Sequence, residues 1–342
     1  MRTIDWIPAP DGPGHIQLID QTRLPDTLAV LDVHEVDELI DAITRLAVRG
    51  APALGVAGAM GVVLAVQTQP LDQARQAITR LRAARPTAVN LAFGVDTALA
   101  AFDRAGAPGA LDAALAVRDQ DIAACRAMAR RGSDLLTELV PGRERLTVLT
   151  ICNTGALAAV EHGTALGVVE QLHLEGRLER AVACETRPLL QGARLTAWEL
   201  ARMGASYDVI VDSAAAITLA RGGVDAVLVG ADRIAANGDT ANKIGTFAVA
   251  LAAAHARVPF LVVAPETTVD GDTATGADIE IEDRGSDEVC TFRGLRVAPA
   301  GATALNPAFD VTPAELITAI VTDARVIDLS TGQVPGIEQE TS

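Results

Sequence analysis

Three residues have the chemistry and the spacing to form a reactive centre: Cys152 in TICNTG, Asp232 in VGADR and Lys243 in the stretch GADRIAANGDTANKIGT. Lys243 is the only lysine of the chain, whose 28 basic residues are otherwise all arginine. Arginine replaces lysine on most solvated surfaces, but its planar fork cannot substitute for a compact ammonium that fits beside a phosphate or exchanges protons. The segment Asn242 to His255, NKIGTFAVALAAAH, predicts an apolar helix behind an Asn237-Gly238 turn, with Asp239 or Thr240 as its cap. Lys243 would then stand in the first turn, where free amides and the helix dipole favour an anion rather than a cation. A bound phosphate resolves that conflict, and so does a salt bridge to Asp232 or Asp239.

Cys152 follows the predicted strand Leu146 to Ile151 and precedes a helix expected to begin at ALAAVEHG. Backbone amides at such a junction stabilise a thiolate, which makes Cys152 a candidate acid/base or nucleophile; a buried, inert thiol is the alternative. Asp232 follows the apolar run DAVLVGA directly. That approach favours the protonated acid and a role as proton donor, although capping, or pairing with Arg233, would also account for an aspartate there. Gln191, near a helix start in CETRPLLQGARLTAWELA, can orient sugar hydroxyls, while Arg187 in the same stretch could bind or only brace the fold. In the N-terminal half, Arg49, Gly50 and Ala51 form a helix break in VRGAPALG that could cradle an oxyanion, and Arg85 precedes Pro86 in RPTAVN. With Lys243, these arginines suggest a phosphate clamp drawn from two domains, with the substrate in a cleft between them.

The elements that must hold these groups fall into two regimes. The chain to about residue 30 predicts a small antiparallel sheet, and Val36 to Leu139 reads as helices broken at Gly50, Pro70, Pro86 and Gly106 to Gly109. From PGRER onward, short β-branched runs alternate with amphipathic helices: the strands expected are Leu146 to Ile151, Arg180 to Cys184, Asp208 to Val211, Asp225 to Gly230 and Phe260 to Ala264. The expected fold is therefore α/β, a doubly wound parallel sheet in residues 141–342 behind a mostly helical domain in 1–140. In such sheets ligands collect beyond the strand C-terminal ends, where Cys152, Glu185 and Asp232 all stand. CNTG after the first strand is not the glycine pattern of a dinucleotide site, so no dinucleotide cofactor is expected.

Composition narrows the function classes. A net charge of -16 opposes attraction to nucleic acid and to anionic membranes, leaving a small molecule as the expected partner. The apolar run Gly50 to Val66 contains Pro52 and several glycines and is expected to be a buried helix packed through small residues. Cys125, Cys152, Cys184 and Cys290 show no CxxC spacing, and the N-terminus lacks a signal-peptide core, so a reduced, cytoplasmic setting is expected.

Seven strings in order, LIDQTRLP, AVRGAPALGVAGA, RPTAVNLA, TICNTGALA, ETRPLLQGARLTAWEL, VGADRIAANGDTANKIGT and NPAFDVTP, closely resemble the methylthioribose-1-phosphate isomerases, a superfamily shared with regulatory subunits of a translation-initiation exchange factor. The resemblance implies a Rossmann-like C-terminal domain and a metal-independent homodimer. It also implies conversion of 5-methylthioribose 1-phosphate to 5-methylthioribulose 1-phosphate in methionine salvage. By position it assigns catalysis to Cys152 and Asp232, and substrate binding to Arg49, Gly50, Ala51, Arg85, Gln191, Asn242 and Lys243. Related sugar phosphates (5-deoxyribose 1-phosphate or ribose 1,5-bisphosphate) and a noncatalytic regulatory subunit are the alternatives it leaves.

Overall fold

The computed structural model describes residues 2–85 and 88–336, so the expected break at Pro86 lies outside the described residues. The chain forms two compact units, Met1–Cys125 with Thr154–Gly163, and Arg126–Asn153 with Thr164–Ser342. A cut at residue 140 follows the change in sequence pattern, whereas the compact units divide inside the long helix. The physical reason is packing: Gly132 lies against Val168, and Ser133 donates to Glu175 at 2.6 Å, which ties the end of that helix to the second unit.

In the first unit β1 (Ile4–Ile7), β2 (His15–Ile19) and β3 (Val30–Val33) form the antiparallel sheet expected from alternation. Helices α1 (Val36–Thr44), α2 (Ala51–Thr68), α3 (Leu71–Arg82) and α4 (Val89–Leu139) follow. The expected interruption near Gly106 to Gly109 is a kink in α4, where Gly106 takes φ 67° and Pro108 has no amide hydrogen to donate. Among the described residues α2 is the one helix long and apolar enough to cross a membrane, yet 72% of it is buried within the protein. Its small residues explain how: a Cβ on Gly94 would stand 1.9 Å from the Gly55 carbonyl oxygen, so α2 and α4 touch backbone to backbone.

In the second unit the chain runs β4 (Leu146–Thr150), α5 (Ala165–Leu174), β5 (Leu178–Cys184), α6 (Ala197–Met203), β6 (Tyr207–Ile210), α7 (Ala215–Ala220) and β7 (Ala226–Val229). It continues through β8 (Arg233–Ala235), β9 (Thr240–Lys243), α8 (Thr246–Ala256), β10 (Phe260–Val263), β11 (Val269–Asp270) and α9 (Asp287–Cys290). A short ribbon, β12 (Thr291–Phe292) with β13 (Leu295–Arg296), then precedes β14 (Phe309–Thr312), β15 (Ala319–Val321) and β16 (Val326–Asp328).

Seven strands form one sheet in the order β16-β15-β10-β7-β4-β5-β6, parallel except for β16. β7 and β10 are buried at every residue, as both faces of a parallel sheet require. The chain builds outward from β4 through β5 to β6, then returns to the other side of β4 with β7, β10 and β15. The order therefore reverses between β4 and β7. A second sheet, β11-β8-β9-β14, was not expected from sequence and carries Lys243.

Candidate active site

Cys152 lies two residues past the end of β4, beside the point where strand order reverses. It is 7% exposed and its backbone is left-handed, with φ 67°. For a non-glycine residue that conformation is strained and persists only when the surroundings enforce it. They do so here: the Cys152 amide donates to Thr186 Oγ1 at 2.8 Å, and Thr196 Oγ1 donates to the Cys152 carbonyl at 2.6 Å. Thr186, itself at φ 66°, is braced in turn by Asp212, whose carboxylate accepts from the amides of Thr186 and Arg187 at 2.7 Å each. Asn153 donates to Glu199 Oε1 at 2.7 Å, fixing the next residue on the buried side. The helix expected to begin at ALAAVEHG is instead a single turn, Ala156–Ala158, in the first unit; the full helix, α5, starts at Ala165. Thus contacts from Thr186 and Thr196, distant in sequence, rather than a helix start, set the geometry of Cys152.

Asp232 follows β7, the strand paired in parallel with β4, so the two residues emerge at the C-terminal ends of adjacent strands. Such a position is where ligands of open parallel sheets collect. The preceding apolar run does not enclose Asp232, however. The side chain is exposed, and strand burial does not supply the desolvation expected of it. Its amide donates to the Ala241 carbonyl at 2.9 Å, which starts the β8–β9 hairpin around the Asn237-Gly238 turn. Extending that register by one step sets Asp232 opposite Asn242.

Lys243 ends β9 and precedes α8 by three residues, which corrects its expected place in a helical first turn. The pairing partner β14, more than sixty residues on, draws TANK into a strand that local sequence reads as helix. Lys243 Nζ donates to the Ala308 carbonyl at 2.8 Å and stands 4.1 Å from the centroid of the Phe309 ring. Asp239, a candidate partner, is committed elsewhere, accepting from the amides of Gly276 and Ala314. Two amides at the start of α8 are taken within the chain: Asp310 accepts from Gly245 at 2.7 Å and from Phe247 at 3.1 Å. Burial pushes the Asp310 carboxyl up to about 6, against the pull of those amides and of Lys243. Asn242 is buried, and its Nδ2 donates to Thr246 Oγ1 at 2.9 Å.

Gln191 immediately precedes the π-helical turn Gly192–Thr196 that leads into α6, and is 5% exposed. Its Oε1 has no hydrogen-bond partner among the described residues. Buried polar atoms are nearly always paired, so this acceptor suits a ligand hydroxyl. Arg187 proves structural, donating to the Pro188 and Val289 carbonyls at 3.0 and 3.1 Å and lying 5.5 Å from the centroid of the Phe292 ring.

The first unit holds the remaining residues. Arg49 Nε donates to Gln21 Oε1 at 3.2 Å, and Gln21 Nε2 donates to the Leu157 carbonyl at 2.7 Å. Gly50 caps α2 with φ 95°, and a Cβ there would lie 2.4 Å from the Ala158 carbonyl oxygen, so only glycine permits the approach. Ala51 is the first residue of α2, and Arg85 lies half-buried between α3 and α4. Gln21, Thr186, Thr196 and Asp310 had no singled-out role in the sequence reading. Their types are common, and only pairings distant in sequence reveal them. Among the described residues no three His, Cys, Asp or Glu side chains converge as metal donors.

Residues 47–328 match the model of the initiation factor 2 subunit family. The chain belongs to that family. Members similar to it include the methylthioribose-1-phosphate isomerase of Gloeobacter violaceus, 49% identical over 95% of this chain and 93% of that protein. A probable bifunctional methylthioribose-1-phosphate isomerase/methylthioribulose-1-phosphate dehydratase of Nocardia farcinica is 47% identical over 98% of this chain, which spans only 62% of that longer protein. Of solved structures, 5-methylthioribose 1-phosphate isomerase from Pyrococcus horikoshii superposes with a TM-score of 0.87 at 37% identity, covering 96% of this chain and 92% of that one. The translation initiation factor eIF-2B subunit delta from A. fulgidus gives 0.84 at 42% identity, covering 96% of both chains.

Proposed function

We propose that this initiation factor 2 subunit family member is a methylthioribose-1-phosphate isomerase, converting 5-methylthioribose 1-phosphate to 5-methylthioribulose 1-phosphate in methionine salvage. The observation that carries the reading is the placement of Cys152 and Asp232 at the ends of β4 and β7, where strand order reverses. We read the parallel sheet as Rossmann-like and doubly wound, its switch point serving chemistry on a sugar rather than a dinucleotide.

Phosphate on the anomeric carbon of the substrate blocks ring opening to a free aldehyde, so the ring oxygen must be protonated as the C1–O bond breaks. Asp232 donates that proton, and Cys152 assists hydrogen movement between C2 and C1. Because Asp232 is exposed, a sugar ring covering it would supply the desolvation that favours its acid form. Arg49, Arg85 and Lys243 hold the phosphate, with backbone contacts from Gly50 and Ala51, while Gln191 and Asn242 orient hydroxyls. A cytoplasmic homodimer completes the proposal, and four buried cysteines with no disulfide among them support a reduced setting.

The likeness to the A. fulgidus protein favours a second reading, a noncatalytic subunit. One assay separates them: purified protein incubated with 5-methylthioribose 1-phosphate, 5-deoxyribose 1-phosphate or ribose 1,5-bisphosphate, with the C1 and C2 signals followed by NMR. Conversion of the methylthio sugar, slowed at least about a hundredfold by Asp232→Asn, is expected. No conversion of any of the three would favour the subunit, and undiminished turnover in the variant would remove Asp232 from the chemistry.

A further inference from the structure

The turn from β9 into α8 is held from four directions. Asp310 spans the amides of Gly245 and Phe247, one carboxylate oxygen on each. Thr246 Oγ1 donates to the Lys243 carbonyl at 2.6 Å while accepting from Asn242 Nδ2. Pairing with β14 sets Phe309 opposite Lys243 and Asp310 opposite Asn242. Gly245, at φ 101°, lies so close to Ile151 that an added Cβ would stand 2.9 Å from its Cδ1, and Ile151 immediately precedes Cys152. Movement of this turn would therefore displace Asn242 and Lys243.

We infer that Asp310 is a positioning residue: its carboxylate locks the turn between Lys243 and α8, and through it fixes Asn242 and Lys243 in the arrangement that receives the sugar phosphate. The inference rests on the isomerase reading. Two consequences follow from the chemistry of the lock. Two amides at the start of α8 already bind a carboxylate, which places the Lys243 ammonium, rather than those amides, as the group that meets the phosphate. And only the carboxylate can serve both amides well, since a protonated acid turns one oxygen into a donor. Lys243 is the charged group facing Asp310 from β9, and α8 presents amides alone. From the turn Gly276–Asp278, which packs on β14, Asp278 is engaged by Thr275, and Asp239 by Gly276.

Asp310→Asn keeps the shape but offers one acceptor where two are used, and its NH2 opposes an N–H. Steady-state kinetics of the full chain should show KM for the sugar phosphate raised at least about tenfold, with kcat changed less than about threefold, the split expected when ground-state and transition-state binding are lost together. In the ligand-free wild type, the Gly245 and Phe247 amide signals should titrate together with a midpoint near 6, and in the variant this titration should vanish. Reading amides without ligand avoids the second ionisation of a phosphate, itself near about 6. Unchanged KM in the variant, or wild-type amides that show no common titration, would overturn the proposal; the second measurement needs no folded variant. A wild type inactive on every sugar would refute the isomerase reading, while the amide titration would still report on the lock.

Discussion

Two neighbouring strands deliver a cysteine to the same edge of the sheet, and the structure treats the two thiols in opposite ways. Cys184 is the last residue of β5, fully buried and paired in register with Ile210 of β6. Burial, and then the charges of Asp212 and Glu185, push its thiol up to about 12. Cys152 passes the end of β4 by two residues, turns left-handed, and has its amide and carbonyl held by Thr186 and Thr196. Inside the strand, pleat alternation dictates where a side chain points and the core takes it. Past the strand end, the backbone is free to be shaped by neighbours, and side-chain direction becomes a matter of tertiary contacts. The difference between Cys184 and the sulfur proposed for catalysis is thus a displacement of two residues past the strand end.

The comparison can be broken most decisively at the sulfurs. Cys152→Ser should lower turnover at least about a hundredfold while leaving the fold intact, and Cys184→Ser should leave turnover within about threefold of wild type. Equal losses in the two variants would erase the distinction. Selectivity of alkylation sharpens it: near neutral pH iodoacetamide should modify Cys152 in the native protein, with protection by substrate, as located by peptide mass spectrometry. Cys184 should resist until the pH approaches about 12, where its thiolate forms, or until the protein unfolds. A smaller effect is expected at Thr196→Val, which removes the hydroxyl donating to the Cys152 carbonyl. Leaving a buried acceptor unpaired should cost about 1–3 kcal/mol in denaturant unfolding and lower kcat more than it raises KM. Unaltered kcat would show that the strained turn does not depend on this contact. Smallest of all, Cys184→Ala should cost roughly 1 kcal/mol for the lost sulfur volume, with no change in KM.

The parallel strands β4, β5, β6, β7 and β10 were legible as short apolar runs between turns, most plainly β7 and β10, where burial on both faces is written locally in residue type. The helices of the first unit were legible for the same reason, through stripes of Ala, Leu and Val. The hairpin carrying Asp232, Asn242 and Lys243 was only half legible. Asn237-Gly238 marked its turn, but TANK has no local preference strong enough to compete with the alanine-rich run behind it, and the strand exists because Phe309–Thr312 pairs with it. Asp310 could not have been singled out on its own, since nothing near it in sequence contains the amides it holds.

By itself, then, the sequence determined the alternation of strands and helices, the burial of α2, and the candidate chemistry of Cys152, Asp232 and Lys243, because periodicity and residue type act over a few neighbours. Tertiary structure alone decided that β7 returns beside β4, that two threonines hold Cys152 in a left-handed turn, and that Asp310 occupies the start of α8. Those outcomes depend on contacts between residues tens of positions apart, whose formation is governed by the packing of the whole sheet rather than by any local segment.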